Sequence, residues 1–395
     1  MGAEEGTIRF WRSQRSRLQG RVRFGSTVVW CWKRRLNEAK ERRGFVEGIL
    51  MESVEPIRLR LFSWWERNSR DLPWRYGRTT PWGILVSEVM SQQTQLSRVV
   101  PYWTAWMEAW PDAAALAAAG KAEVITAWGR LGYPRRALRL QECARVVSTE
   151  YGDLLPRSYQ ELTGLPGIGD YTASAVMSFA YGERIVVIDT NIRRVLSRVF
   201  LGVESVGGST TRTERELAQT VLPEDVGSLS GKGRRDSVDG SMQGLSGQEP
   251  PVDTKDTGLV GRLGGADDQV RSNAWCEPDS AKWNQGIMEL GATVCKAKKP
   301  DCQICPLAEH CRFLKAGLPE LGMKRTRPRQ RFTGTNRQVR GKILQALRES
   351  EKGRVDRARI EQVCEDGIQL DLCIASLDED GLLVIREDGS LELPE

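Results

Sequence analysis

Histidine is almost missing from this chain of 395 residues, which has only His310. Hydrolysis by a histidine triad, and catalysis by a metal held on several histidines, are excluded on that count. No run of eighteen apolar residues occurs, so no transmembrane helix and no membrane partner are expected. The nine cysteines are too sparse for a small secreted disulfide scaffold. Basic charge is also scarce once the start of the chain is set aside. Residues 1–50 hold 12 Lys/Arg and 5 Asp/Glu, so of the 58 basic and 52 acidic groups overall, 46 and 47 fall in the other 345 residues. Total charge therefore makes no case for a nucleic-acid partner, and local arrangement has to carry one. The leader strings FWRSQRSRLQG and VVWCWKRRLNEAK lack a long apolar core and a small-residue cleavage site. They are expected to form a disordered extension or a basic arm touching DNA, and not a secretory signal.

What is present is helical pattern. Apolar residues make up 40% of the chain, enough for a large core. Residues 55–220 show helical periodicity with almost no strand alternation, and the spacing predicts helices at Trp82–Met90, Val99–Trp110, Lys121–Trp128, Arg135–Ser148 and Tyr171–Phe179. The fold class is mainly α. Between Pro223 and Ser280 the text turns Gly/Ser/Asp/Pro-rich, and residues 222–279 are expected to be a low-complexity insertion that cannot repay the entropy of ordering. Ser280 is the expected cap of the helix that follows. Beyond a linker at 316–331, residues 332–395 read as a small separate winged-helix-like unit: VRGKILQAL, RARIEQVC and LDLCIASL as helices, then LLVIREDGSLEL as two strands around an Asp-Gly turn.

Three stretches carry chemistry. On a helical wheel, Glu88 lies at the edge of the face formed by Trp82, Leu85, Val86 and Val89, where loss of solvent raises a carboxyl pKa toward that of a general acid. In LPGIGDYTA, Gly167 and Gly169 lie in a tight turn between helices, a backbone shape that grips a nucleic-acid backbone without reading sequence. In ERIVVIDTNIRRVLSR, a β-branched run delivers Asp189 to a helix start, where Asp189 or Asn191 can cap the helix and Arg193 and Arg194 can meet phosphate. Glu88 protonated and Asp189 ionised would suit cleavage of a bond between base and sugar. The third stretch is CKAKKPDCQICPLAEHC. Its Cys295, Cys302, Cys305 and Cys311 suit tetrahedral zinc or a [4Fe-4S] cube, and spacing leaves both open. Lys296, Lys298 and Lys299 would make a basic loop, and His310 is incidental. Cys31, Cys143, Cys276, Cys364 and Cys373 read as unpaired thiols in a reducing compartment.

At these residues the sequence resembles the adenine DNA glycosylase family, the MutY type, within the helix-hairpin-helix and iron–sulfur glycosylase superfamily. The signatures are DLPWR (71–75), SEVMSQQTQ (87–95), WGRLGYPRRA (128–137), LPGIGDYTA (165–173), VVIDTNIRRVL (186–196) and WNQGIMELGATVC with its cysteine loop. The resemblance implies a two-lobed helix-hairpin-helix fold with a bipartite core at 51–221 and 280–315, and a [4Fe-4S] cluster on the four cysteines, with zinc as the alternative. It implies Glu88 as the acid that protonates adenine N7, Asp189 as the carboxylate that steadies the sugar cation at C1′, and Asn191 as the support of Asp189. Tyr171 stands where bifunctional relatives carry a Schiff-base lysine, which implies a monofunctional enzyme. Trp74, Arg75, Gln92, Gln93, Thr94, Leu131, Tyr133, Gly167 and Gly169 are implied to meet substrate or DNA, with Gln93 and Thr94 beside the orphaned base and Leu131 and Tyr133 as wedge and support around 8-oxoguanine.

The expected partner is double-stranded DNA with an A·8-oxoguanine or A·G mispair, bound by a monomer that is cytoplasmic and nucleoid-associated. One departure concerns the C-terminus. Family members typically carry a larger NUDIX-like reader with a Phe-Ser-His type motif, whereas residues 330–395 contain no histidine. The alternatives are a thymine mismatch glycosylase of the same superfamily, and a DNA-binding module without catalysis.

Overall fold

The computed structural model describes residues 54–205, 208–225, 277–322 and 333–395. Expectations for the basic leader, for most of the Gly/Ser-rich insertion, for residues 323–332, and for Cys31 and Cys276 lie outside these residues. Residues 54–68 (α1) are helical. They are followed by α2 (Pro81–Ser91), α3 (Leu96–Ala109), α4 (Ala113–Ala118), α5 (Lys121–Trp128), α6 (Arg135–Glu150), α7 (Tyr159–Gly164), α8 (Asp170–Phe179), α9 (Thr190–Leu196), α10 (Arg212–Val221), α11 (Asp279–Thr293) and α12 (Arg312–Lys315). Four of these escaped the periodicity, among them α12 with its four residues. Helices α4 and α7 have six residues each, too short for an apolar stripe to repeat. Helix α10 is mostly polar and is started by a capping box between Thr211 and Glu214.

The first lobe is built around α2. Thr80 caps it by accepting from the Gly83 N–H at 3.2 Å, and Pro81 supplies a first residue already set for helix. Trp82 through Ser87, together with Val89 and Met90, are buried, so this helix is enclosed on nearly every side and not on one face as the wheel suggests. The tryptophans do much of the enclosing: Trp103 donates its indole N–H to the Gly83 carbonyl at 2.8 Å, and Trp106 meets Trp110 and Trp128 edge-on at 4.7 and 5.5 Å. Glu88 is left as one of the few incompletely buried positions on α2.

Helices α1 and α9–α12 form the second lobe. Gly286 lets α11 approach α1, since a Cβ there would stand 3.2 Å from the Leu61 side chain. The expected cap at Ser280 is corrected: α11 begins at Asp279, and Asp225 caps it by accepting from the Ser280 N–H and hydroxyl, both at 2.8 Å. The two ends of the insertion are thereby tied together. The β-branched run before Asp189 joins no sheet; it is an unpaired segment whose Val187 is buried.

The C-terminal unit has helices α13 (Asn336–Glu349), α14 (Arg357–Glu361) and α15 (Gly367–Glu379), as expected. The expected hairpin is β2 (Val384–Ile385) with β3 (Leu391–Glu392), and a further strand, β1 (Arg354–Val355), makes an antiparallel sheet of order β1-β3-β2. Two residues are too few to show alternation, so β1 left no trace in the pattern. Nor is the unit separate: Ile125 of α5 is fully buried in the same apolar cluster as Ile343, Leu347, Leu377 and Leu391. Among the described residues no helix is long and apolar enough to cross a membrane.

Candidate active site

Glu88 stands in the last turn of α2, and its Oε2 accepts from the Tyr171 hydroxyl at 2.8 Å across 83 residues of chain. Burial pushes the Glu88 carboxyl up to about 7; the Tyr171 hydrogen bond resists, and the nearby charge of Asp189 adds to the rise. Burial, then the charge of Glu88, hold the Tyr171 phenol well above its ordinary value, so it remains a donor. Asp189 precedes α9. Its Oδ1 accepts from the Ile192 N–H at 2.6 Å and its Oδ2 from the Asn191 amide at 2.7 Å. Burial raises its pKa, and these two hydrogen bonds hold the rise back. Capping and a chemical role are thus compatible in one carboxylate.

Asn191 owes its orientation to two neighbours. Its Oδ1 accepts from Arg194 at 2.8 Å, which leaves its NH₂ for Asp189. A Cβ on Gly291 of α11 would lie 2.7 Å from the Asn191 Cβ, so only glycine lets α11 come this near. Gly291 was visible in the signature string but carried no assigned part.

Glu88 and Tyr171 line an open cavity of about 690 Å³, with Trp74, Arg75, Glu277 and Gln285 in its wall. Trp74 and Arg75 are both buried there, in the cavity wall and not on the outer surface. Arg75 is occupied: it pairs with Glu289 at 2.7 Å, donates to the Arg70 carbonyl at 2.9 Å and stacks on Trp65. Glu277 was missed because it sits at the edge of the low-complexity text. It accepts from the Gln285 amide, and burial pushes its carboxyl up to about 7.

Beyond Glu88 the chain turns outward. Gln93 is exposed with φ +55°, and Tyr133 is 45% exposed with φ +49°, both in the left-handed region that such residues seldom occupy. Backbone strain of about 1–3 kcal/mol per residue persists where surrounding structure imposes it, often at functional sites. The two loops are laced together, since the Thr94 hydroxyl donates to the Leu131 carbonyl at 3.1 Å. Gln92 donates weakly to Thr172 at 3.4 Å. Arg136, which the reading of the sequence passed over, donates to the carbonyls of Val89, Gln92 and Gly132 at 2.6, 2.9 and 3.1 Å. Leu131 is corrected as a wedge: it is only 3% exposed and belongs to the core of the first lobe, whereas a wedge has to be presented. In the hairpin between α7 and α8, Gly167 has φ +77° and Gly169 leads into α8, with Leu165 and Ile168 buried beneath them.

The four cysteines line a second cavity of about 400 Å³, together with Arg198 and Phe313. Burial pushes the Cys305 thiol up to about 12 and also raises Cys302 and Cys311, so a positive centre is what would keep them as thiolates. Among the described residues no three His, Cys, Asp or Glu side chains converge as ligands of one ion. Four thiols around one cavity are a donor set that an iron–sulfur centre takes. Lys296, Lys298 and Lys299 are exposed, as expected of a basic loop. Arg193 and Arg194 are corrected: neither is offered to phosphate. Arg193 is buried against Glu214 at 2.8 Å, and Arg194 donates to the Cys295 and Gly291 carbonyls at 2.8 and 2.7 Å. Fully buried Arg198 completes the set, reaching the Cys295 sulfur at 3.4 Å and the carbonyls of Lys296 and Ala297 at 2.9 Å each. Asp189, Asn191, Arg194 and the start of the cysteine loop therefore form one hydrogen-bonded chain.

Known proteins resemble this chain along most of its length. The family model of the HhH-GPD superfamily base excision DNA repair protein matches residues 86–224, and that of the iron-sulfur binding domain of endonuclease III matches residues 295–311. The chain is 41% identical over 342 residues to the adenine DNA glycosylase of Mycolicibacterium smegmatis, covering 86% of this chain and 96% of that protein. It is 36% identical over 335 residues to the adenine DNA glycosylase of Mycobacterium tuberculosis, covering 85% and 92%. With the adenine DNA glycosylase of Homo sapiens it shares 35% over 267 residues, covering 66% and 39%.

Proposed function

Because this chain belongs to the adenine DNA glycosylase family, we propose that it hydrolyses the N-glycosidic bond of adenine mispaired with 8-oxoguanine or guanine in duplex DNA. The observation that carries the reading is the Glu88 carboxyl, held by Tyr171 in the wall of an open cavity and sensing the charge of Asp189. A pure DNA binder has no use for two half-buried acids beside an anionic polymer. The catalytic unit in this reading spans residues 51–221 and 280–315.

The adenine leaves the stack and enters the cavity, at a cost of about a few kcal/mol that a mispaired or damaged partner reduces. Glu88, protonated near neutral pH, gives its proton to adenine N7. The C1′–N9 bond then breaks with its electron pair going to the base, and positive charge develops on the sugar. Asp189, ionised and fixed by Ile192 and Asn191, stabilises that charge. Water adds to C1′, its proton passes to the Glu88 carboxylate, and free adenine and an abasic site result. Tyr171 offers a phenol and no amine, so no Schiff base forms and the strand stays intact. Cys295, Cys302, Cys305 and Cys311 would hold a [4Fe-4S] cluster. What such a cluster would supply is structural, order in the basic loop, which Arg194 joins to α9 and Arg198 to the turn after α9.

The test is single-turnover base release from A·8-oxoguanine, A·G and T·G duplexes, read with and without hot alkali. We expect adenine release, fastest opposite 8-oxoguanine, with strand breaks only after alkali. Thymine release would transfer the chain to mismatch repair of T·G, and no release by iron-loaded protein would leave only DNA binding.

A further inference from the structure

One exposed aromatic ring is shared by two parts of the molecule. The guanidinium of Arg136 lies 5.5 Å from the centroid of Tyr133, and that of Arg337, in the first turn of α13, lies 4.9 Å from the same centroid. Arg136 is held by three backbone carbonyls, two of them at the end of the helix that carries Glu88. Arg337 is exposed and comes from the C-terminal unit. That unit is fixed to the first lobe by three contacts: Ile125 in its core, Arg348 donating to the Ile125 carbonyl at 3.1 Å, and Asp380 paired with Arg135 at 3.1 Å. The start of α13 therefore has a defined position over the loop that presents Tyr133.

We infer that Arg337 is a positioning residue through which the C-terminal unit orients Tyr133 for entry into the DNA stack beside the mispair. The inference rests on the adenine glycosylase reading and adds to it a part for the C-terminal unit in mispair discrimination. A surface tyrosine free to sample its rotamers loses that freedom on stacking against a base. A ring already held between cations and backbone loses less. Cation–π attraction at an exposed ring is modest, so the expected effect is a loss of about two- to fivefold in mispair affinity when Arg337 is removed.

The experiment compares wild type, Arg337→Ala, Arg337→Lys, Tyr133→Ala and the Arg337→Ala/Tyr133→Ala double variant. Dissociation constants are measured for an A·8-oxoguanine duplex and a fully paired duplex over a salt series, and 2-aminopurine next to the mispair reports unstacking by its fluorescence. Alanine suits an exposed helical position, and equal melting temperatures will verify that the variants fold. We expect Arg337→Ala to weaken mispair binding and reduce the fluorescence rise, with the fully paired duplex and the salt slope unchanged. Arg337→Lys should be intermediate, and the double variant no worse than Tyr133→Ala alone. Equal losses on both duplexes with a salt slope lower by about one would make Arg337 a phosphate contact and overturn the inference. Unchanged binding, or additive losses in the double variant, would overturn it too. Failure of wild type to release adenine would instead remove the functional reading.

Discussion

The pocket wall and the anchor behind it contain two glutamates that share a neighbour, Arg75; burial pushes both carboxyls up, yet they end on opposite sides of their ordinary value. Glu289 is 1% exposed and accepts from Arg75 at 2.7 Å and from Arg70 at 2.5 and 2.9 Å. Burial pushes its pKa up, but the two guanidinium groups outweigh that and hold it below the ordinary value. Glu88 receives a single hydrogen bond from a neutral phenol, with Arg75 only a distant influence, and its carboxyl rises to about 7. A buried acid with cations in contact is a strut; one denied them becomes a proton donor at neutral pH.

The sharpest way to break this contrast is to remove each charge in turn. Glu88→Gln should lower single-turnover excision by about 10²–10⁴-fold while duplex binding persists. It should also stabilise the fold. The native carboxyl binds its proton more tightly than the unfolded one near 4.5, so stability is greatest below that pH and falls as pH rises toward 7. The glutamine variant escapes this loss, gaining on the order of 1–3 kcal/mol at pH 8 in chemical denaturation. Glu289→Gln should do the reverse, leaving buried Arg75 uncompensated at a cost of about 3–5 kcal/mol. If both variants destabilise alike, the distinction between strut and acid fails.

Next in size is the link from the cysteine loop to Asp189. Cys305→Ser should reduce iron content and, by loosening α9 through Arg194 and the turn after it through Arg198, slow excision by about 10–10²-fold, the scale on which a misplaced catalytic group is felt. Unchanged rates in iron-depleted protein would disconnect the two regions. A smaller effect separates Tyr171 from Glu88. Excision should decline above pH 7 as Glu88 ionises, and below an acid limit set by Asp189, which burial raises above the usual aspartate range. The Tyr171 hydrogen bond favours the Glu88 carboxylate, so Tyr171→Phe should raise the Glu88 pKa and shift the alkaline limb upward by about one pH unit or less. The smallest change belongs to the insertion. Asp225 already grips Ser280, so replacing residues 227–275 with a short Gly/Ser linker should change the rate by less than about twofold.

Much of this was legible one helix at a time. The wheel put Glu88 at an edge, LPGIG announced the hairpin, and the cysteine spacing announced a metal-binding loop. What went astray has a common origin. Arg193 and Arg194 looked available for phosphate because their partners, Glu214 and the Cys295 carbonyl, are 21 and 101 residues away. Leu131 looked like a wedge because nothing in LGY tells whether it is Leu131 or Tyr133 that points outward.

The sequence by itself determined which elements form and which chemical groups exist, because capping, apolar spacing and glycine turns act over a few neighbouring residues. Only the tertiary structure decided which charges are cancelled and which are left to react. Paired, Glu289 lies below its ordinary pKa, and Glu88, hydrogen-bonded only by a phenol, is at about 7. Burial and long-range contacts set that difference, and both arise only when distant segments of chain meet.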